Sequence, residues 1–243
     1  MLKIARARYE RFYCDSIVGP LVSVMIPTYN RGQLLVDRTL PSILAQTHQN
    51  LEVVIVGDCC TDNTSELLAK VTDSRVRFFN LPKRGQYPED VSCRWFVAGT
   101  KPANKGFSLV RGKWIAFLDD DDMFAPDHIE ALLQFAQKGG YEFVAGLYEE
   151  ERHGKRVVVG HRSDECPEFG GHSTWLYRSY LRFFRYNINS WRKAWNRPGD
   201  IDLQLRMRAA GVRMEVLDKV VTYVLPRPDS NTVGLSAHEI ELE

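Results

Sequence analysis

The sequence lacks any apolar run long enough to cross a membrane. Its longest early candidate, residues 17–27, is broken by Gly19, Pro20 and Ser23 and falls well short of the ~20 residues a spanning helix requires. Charge of one sign is lacking too: 32 Lys and Arg stand against 31 Asp and Glu, a formal net charge of +1. Composition therefore announces no nucleic-acid partner. Cysteine is sparse. Cys14, Cys59, Cys60, Cys93 and Cys166 form an odd set whose spacing matches no zinc pattern, and adjacent Cys59 and Cys60 point their thiols apart. All five read as reduced thiols of a cytoplasmic protein. No secretory leader is visible, because Lys3, Arg6, Arg8 and Arg11 lead to Asp15 without an apolar stretch. Residues 1–20 read as an N-terminal arm, either disordered or packed on the body. Repeats, low-complexity tracts and linkers are absent. The 243 residues, 44% hydrophobic and 26% charged, are enough for one large domain or two small ones. The missing linker favours one.

What is present is an alternation of strand and helix signals. Residues 21–26 are short and apolar and close at Pro27, which predicts a buried strand. Residues 33–46 carry Leu34, Leu35, Leu40, Ile43 and Leu44 at helical spacing, with Pro41 expected to kink or split the helix. Strands are predicted over 51–56 and 76–81, with a short helix over 62–70 between them. Residues 82–101 read as a long loop holding one short helix, and 103–111 as helical. A fourth buried strand over 113–118 runs directly into Asp119-Asp120-Asp121-Asp122. Pro126 is expected at the first position of a strong helix that Gly139-Gly140 ends. The second half is less regular. Strands are expected over 142–148, 156–160, 173–177, 214–217 and 220–225, and a helix over 200–210 ended by Gly211. The pattern predicts an α/β fold whose mainly parallel sheet is covered on both faces. Ligands of such sheets bind beyond the carboxyl ends of the strands, where residues 27–31, 57–62 and 119–122 fall.

Four consecutive carboxylates repel one another at close range. Two settings tolerate them: a solvated turn that caps the next helix, or a hard divalent cation taking carboxylate oxygens. Delivery of the run to the ligand edge by a buried strand favours the second. Asp58, just past a strand end, is either a ring N–H acceptor for a nucleobase or a turn residue serving local amides. Asp62 reads as a helix cap. Tyr29 could stack on a base and Arg31 could meet a phosphate. Asp200 opens a helix, where capping and catalysis are compatible roles. Gly170-Gly171-His172-Ser173-Thr174-Trp175 offers groups suited to sugar hydroxyls. Trp175 and Trp191 are candidates for an acceptor site or, equally simply, core residues. His161, His172 and His238 are each candidates to complete a metal shell.

In register, these segments resemble the family 2 glycosyltransferases of the GT-A fold. Val22 to Arg31 is similar to that family's opening strand and turn, and Val54 to Thr64 to its second strand and turn. Ala103 to Asp122 resembles its helix, strand and D-x-D motif, and Gly199 to Gly211 its later Glu-Asp segment. The likeness runs over residues 21–225. Three positions depart from the pattern: Gly57 and Gly199 replace acidic residues, and Ala103 stands where Arg is frequent.

The resemblance implies a single GT-A domain over 21–225, with a nucleotide-binding half (21–125), an acceptor-binding half (126–225) and a tail (226–243). It implies an inverting transfer from a nucleotide-diphosphate sugar, UDP favoured, to a hydroxyl of a glycan or lipid-linked acceptor. Pro27 and Tyr29 would line the base pocket, with Arg31 near the phosphates. Asp58 would bind the base and Asp120 the ribose. Asp121 would ligate Mn2+ or Mg2+, with Asp119 in support. Asp200 would be the general base, and His172 and Trp175 would meet the acceptor. Location would be cytoplasmic or peripheral at a membrane, with no nucleic-acid partner. Because Gly57 and Gly199 depart from the pattern, a catalytically inactive binder of nucleotide sugar or glycan is the alternative. A phosphatase of the haloacid dehalogenase type fits less well, since its D-x-D lies near the N-terminus and continues to Thr or Val where Met123 stands here. A nucleotidyltransferase would need a Gly-rich basic loop where residues 27–31 lie.

Overall fold

The computed structural model describes residues 1–13, 19–152, 155–160, 170–192 and 197–225. Cys14, Cys166, His161, His238 and the tail lie outside them. Among the described residues, Cys59, Cys60 and Cys93 are free thiols.

The first half builds the parallel part of one sheet. Strand β1 (Val22–Thr28) and strand β2 (Leu51–Gly57) are buried at every position, which is why they read as unbroken apolar runs rather than alternating ones. β1 pairs in parallel with β2, and β2 with β3 (Val76–Asn80). On its other edge β1 pairs in parallel with β4 (Trp114–Phe117). Alternate residues feed two cores. Met25, Val54, Val56, Ile115 and Phe117 face one, with α6 (Thr100–Gly106) and α8 (Gly199–Ala209) over it. Val24, Ile26, Val53, Ile55 and Ala116 face the other, under α3 (Leu40–Leu44) and α7 (His128–Gly139). Both faces are covered, as expected.

Beyond β4 the sheet turns mixed. Its order is β3-β2-β1-β4-β8-β6-β9-β5, with β7 paired to β6. β8 (Trp175–Arg178) is antiparallel to both β4 and β6 (Phe143–Arg152). β7 (Lys155–Val159) is antiparallel to β6, and β9 (Met214–Val224) runs parallel to it. β5 (Met123–Phe124) closes the edge. Residues 214–225 were expected as two strands. They form one, whose register shifts near Ala145 and Leu147 absorb the polar interruption at Asp218 and Lys219.

Local chemistry sets the helix ends. Pro41 does split its helix: α2 (Gly32–Leu34), a π turn over Leu35–Thr39, and α3 follow one another. The wider turn lies just upstream of the residue that has no N–H to give. Pro126 precedes α7 rather than occupying its first position, because Asp127 is the N-cap. The helix expected over 103–111 is α6, starting earlier and ending at Gly106. α4 (Thr64–Ala69) begins where Asp62 accepts from the Thr64 amide at 3.1 Å. The loop after β3 holds one short helix, α5 (Val91–Trp95).

The N-terminal arm is packed. α1 (Leu2–Tyr9) buries Leu2 and Ala5, and Arg6 forks onto the fully buried Glu142 at 2.8 and 2.5 Å. Glu142 also accepts from Tyr180 Oη at 2.5 Å and the Arg213 amide at 2.8 Å. Despite burial, these donors hold its carboxyl down at about 2.

Candidate active site

The parallel register fixes which side chains meet. Thr28 lies opposite Gly57 and Met25 opposite Phe117. The residues just past these pairs, Asp58 and Asp119 to Asp122, therefore emerge at one edge. The turns that carry them are interlocked. Asn30 and Cys59 adopt left-handed backbone, φ 54° and 62°, which Asn tolerates best among residues with a Cβ. The Asn30 side chain accepts from the Thr61 amide at 2.9 Å and donates to its hydroxyl at 3.2 Å. Gly57 leaves room for Asn80. A Cβ on Gly57 would stand 2.6 Å from Asn80 Oδ1 and 3.0 Å from Cys60 Sγ. Asn80 uses that space to clasp Cys60, accepting from its amide at 2.8 Å and donating to its carbonyl at 3.0 Å. The lost acidic residue at 57 is thus replaced by a clamp on the Asp58 turn.

Asp58 is buried and oriented by the loop after β3. The Gly85 amide donates to Oδ1 at 3.0 Å and Tyr87 Oη to Oδ2 at 2.7 Å. The Arg84 guanidinium lies 3.6 Å over the Tyr29 ring, and Lys101 Nζ holds the carbonyls of Lys83 and Arg84 at 2.5 and 2.9 Å. Gly85, Tyr87 and Arg84 lie in a polar loop where nothing in the sequence marked them. Pro27 is buried at the end of β1, 3.6 Å from where a Cβ on Gly99 would lie.

The four aspartates separate into distinct environments. Asp120 accepts from Thr28 Oγ1 at 2.7 Å and Arg31 Nη1 at 2.8 Å. Burial outweighs these donors and pushes its carboxyl up to about 6. Asp121 also faces Arg31 Nη1, at 3.4 Å. Asp122 accepts from Ser173 Oγ at 2.7 Å, and burial together with Asp119 and Asp121 raises it well above the usual range. Asp119 is the most open, its side chain 42% exposed, and it meets His172 Nε2 at 2.8 Å. Arg31, expected at phosphate, serves here as the counter-cation of Asp120 and Asp121.

His172 sits at the centre. Burial alone would lower it, but Asp119, followed by Asp200 and Asp122, lifts it to about 9, so it is a cation at neutral pH. Its ring lies 4.1 Å from that of Phe117, and Tyr186 Oη is 3.3 Å from its Nδ1. Asp200, at the start of α8, is half-buried on the same side: a Cβ added to Gly171, the neighbour of His172, would lie 4.0 Å from its Oδ2. Gly199 packs against the segment after α5, its amide donating to Phe96 O at 2.7 Å. A Cβ there would meet that oxygen at 3.2 Å, so the acid of the family pattern would require the Phe96 carbonyl to give by a few tenths of an ångström. Trp175 corrects an expectation. It is fully buried, packed edge-on against Phe143, and its Nε1 donates to Gly170 O at 2.7 Å. It supports the His172 turn from the core and presents no face to an acceptor. Trp191 is half-buried, with Arg192 over its ring.

Among the described residues, no group of three or more His, Cys, Asp and Glu converges to hold a metal ion. The donor chemistry still fits a hard cation. Three buried carboxylates crowd together, two of them raised by burial first and by neighbouring carboxylates second, with a guanidinium standing beside them as counter-charge. Mg2+ in particular takes one or two carboxylates and completes its shell with water and substrate phosphates.

The sequence profile of "Glycosyltransferase like family 2" matches residues 20–189, which span β1 to the segment after β8. The chain belongs to this family. Curated relatives agree on the class. The chain is 33% identical over 133 residues to the glycosyltransferase GlyG of Streptococcus pneumoniae, covering 54% of this chain and 40% of that protein. It is 32% identical over 126 residues to the putative teichuronic acid biosynthesis glycosyltransferase TuaG of Bacillus subtilis, covering 51% and 45%. The match to the Escherichia coli beta-1,3-glucosyltransferase WfgD, named for UDP-Glc and a GlcNAc-diphosphoundecaprenol, is 29% identical and covers 53% and 46%. The aligned stretch is thus less than half the length of the curated relatives. The fold is that of S. aureus TarS, solved with UDP-GlcNAc (TM-score 0.66, 21% identity, 86% of this chain and 59% of that one). It is also that of the Pyrobaculum calidifontis mannosyltransferase PcManGT, solved with GDP-Man and Mn2+ (TM-score 0.64, 15% identity, 95% and 66%). The expected GT-A architecture is therefore the architecture found.

Proposed function

We propose that this glycosyltransferase moves a sugar from a nucleotide-diphosphate donor to an acceptor hydroxyl in one inverting displacement. The observation that carries the reading is the convergence at one sheet edge of Asp58, the Asp119 to Asp122 run and Asp200, which come from three separate parts of the chain. Asp58, fixed by Gly85 and Tyr87, is a preset acceptor for a ring N–H, such as uracil N3–H, and a UDP sugar is the favoured donor. Pro27 and Tyr29 form the base pocket and Asp120 faces the ribose. Arg31 and His172 bring positive charge to the diphosphate side.

Asp121, with Asp119 beside it, would hold Mn2+ or Mg2+. The ion would neutralise the departing diphosphate. Asp200 takes the proton of the attacking hydroxyl. The acceptor is a glycan or a lipid-linked sugar. No helix among the described residues is long and apolar enough to span a membrane, and the proposed location is the cytoplasm or its membrane face. The packing at Gly57 and Gly199 supports an active enzyme over an inactive binder, since both departures are met by compensating contacts.

The test measures donor hydrolysis and transfer with and without Mn2+. Asp121→Ala should abolish metal-dependent turnover. Asp200→Asn should keep donor affinity and lose transfer. Undiminished turnover in either variant sinks the corresponding assignment.

A further inference from the structure

Seven large hydrophobic side chains stand exposed among the described residues, and four of them, Met1, Ile4, Tyr9 and Phe12, fall within the first twelve. Scattered singly, such residues need no explanation; gathered on one surface and rimmed by polar groups, they mark a contact. α1 and the 3-10 turn over Glu10–Phe12 that extends it present two faces. Leu2 and Ala5 turn inward and are buried, and Arg6 reaches Glu142 beside them. Met1, Ile4, Arg8 and Phe12 are all exposed and follow one another at steps of three and four, the spacing of a helix face, with exposed Lys3 and Arg11 at their side. Ile4 is 73% exposed and Phe12 46%, so the core takes little of this row. Arg8 lies 5.3 Å over the Tyr9 ring and Arg11 4.9 Å over that of Phe12, which sets cations directly beside the apolar groups.

The acids near this face are engaged elsewhere. Glu10, the one acid among residues 1–13, is half-buried and turned to Arg213 and, at 3.6 Å, Arg178. Glu142 is held by Arg6 and Arg213, and Glu52 by Arg77 and Arg111. Lys3, Arg8 and Arg11 have no carboxylate partner among the described residues. Lys113, donating to Phe12 O at 3.3 Å, and exposed Arg182, donating to Val110 O at 3.3 Å, add charge at the same end of the molecule. That end carries the starts of β4 and β9, where Tyr13 Oη meets Lys113 O at 2.7 Å and Arg6 meets Gly211 O at 2.6 Å. It lies opposite the Asp119 to Asp122 edge. A second copy of the chain would bring like charges together on this face. A nucleic acid would use the bases but not the aliphatic side chains. An anionic bilayer uses both, since an interfacial helix buries its apolar row at the headgroup boundary while its bases meet lipid phosphates.

We propose that the outer face of residues 1–12 docks on an anionic lipid surface, with Met1, Ile4 and Phe12 entering the headgroup boundary and Lys3, Arg8 and Arg11 facing the phosphates. The proposal builds on the membrane-face location read above and is independent of the donor assignment. Docked in this way, the Asp119 to Asp122 edge faces the aqueous side. The test sediments the full chain with vesicles of phosphatidylcholine alone and of phosphatidylcholine with phosphatidylglycerol. The chain should bind the anionic vesicles and leave the neutral ones. Lys3→Gln, Arg8→Gln and Arg11→Gln combined should weaken that binding roughly a hundredfold, at about fivefold for each base near an anionic surface. Ile4→Gln with Phe12→Gln should weaken it about tenfold or more. Because all five side chains are exposed, thermal unfolding and UDP affinity should stay at wild-type values. No preference for the anionic vesicles, or undiminished binding in the three-base variant, overturns the proposal. Loss in that variant with none in Ile4→Gln/Phe12→Gln would reduce the contact to charge attraction without insertion and also overturn it. Dimerisation that Phe12→Gln abolishes, without vesicle binding, would assign the face to a second copy and overturn it as well. Wild type that binds anionic vesicles but not UDP would support the docking face and count against the donor reading alone.

Discussion

Glu142 is the place where one substitution tests how the arm is joined to the body. Its carboxylate is fully buried and receives Arg6 twice, Tyr180 Oη and the Arg213 amide. Folding lowers its carboxyl from 4.5 to about 2, and each unit corresponds to ~1.36 kcal/mol. The ionised group therefore contributes on the order of 3 kcal/mol above its unfolded value. Because the folded value is depressed, that contribution is present above about pH 4.5 and is lost as pH falls towards 2. Glu142→Gln removes the charge and turns an amide N–H2 towards donors. Thermal unfolding at pH 7 should then show a loss of about 3 kcal/mol, or ~6–12 °C for a domain of this size. At pH 3 the difference between wild type and variant should shrink to less than half of its neutral-pH size. An equal difference at both pH values would refute the linkage, and no difference at pH 7 would refute the pairing.

Other outcomes follow from the site. Tyr87→Phe removes one of two donors that set Asp58 and should weaken UDP about tenfold, with pyrophosphate affinity unchanged; an equal loss for both ligands would place the effect outside the base pocket. Arg84→Ala uncovers the Tyr29 face. Since an exposed cation–π contact is worth ~0.5–1 kcal/mol, UDP affinity should rise roughly two- to fivefold by calorimetry, and a fall would show that Arg84 binds the nucleotide rather than yielding to it. Gly57→Ala drives a Cβ into Asn80 Oδ1 and should cost about 1–3 kcal/mol in chemical denaturation; a neutral result would mean that the Asn80 clamp is dispensable.

The strands and the edge they share were legible in the sequence because burial on both faces leaves unbroken apolar runs, and such runs end where polar ligand-binding residues begin. Pro41 splitting its helix was equally legible, since a missing N–H acts locally. The loop after β3 was not. Tyr87 and Arg84 act on Asp58 and Tyr29 from 29 and 55 residues away in the chain, and a polar loop carries no periodicity to reveal such contacts. Trp175 misled for a related reason: an indole beside two glycines and a histidine has the composition of a sugar platform, and only the pairing of β8 between β4 and β6 shows it turned into the core.

The four aspartates make the division plain. That they form a charged cluster at the end of a buried strand was determined by the sequence alone, through local burial and spacing. Which carboxylate faces Thr28 and Arg31, which Ser173, and which His172 was decided only by tertiary structure. Those partners are distant in the chain, and for Asp120 and Asp122 it is burial first, with the neighbouring carboxylates adding to it, that raises the carboxyl.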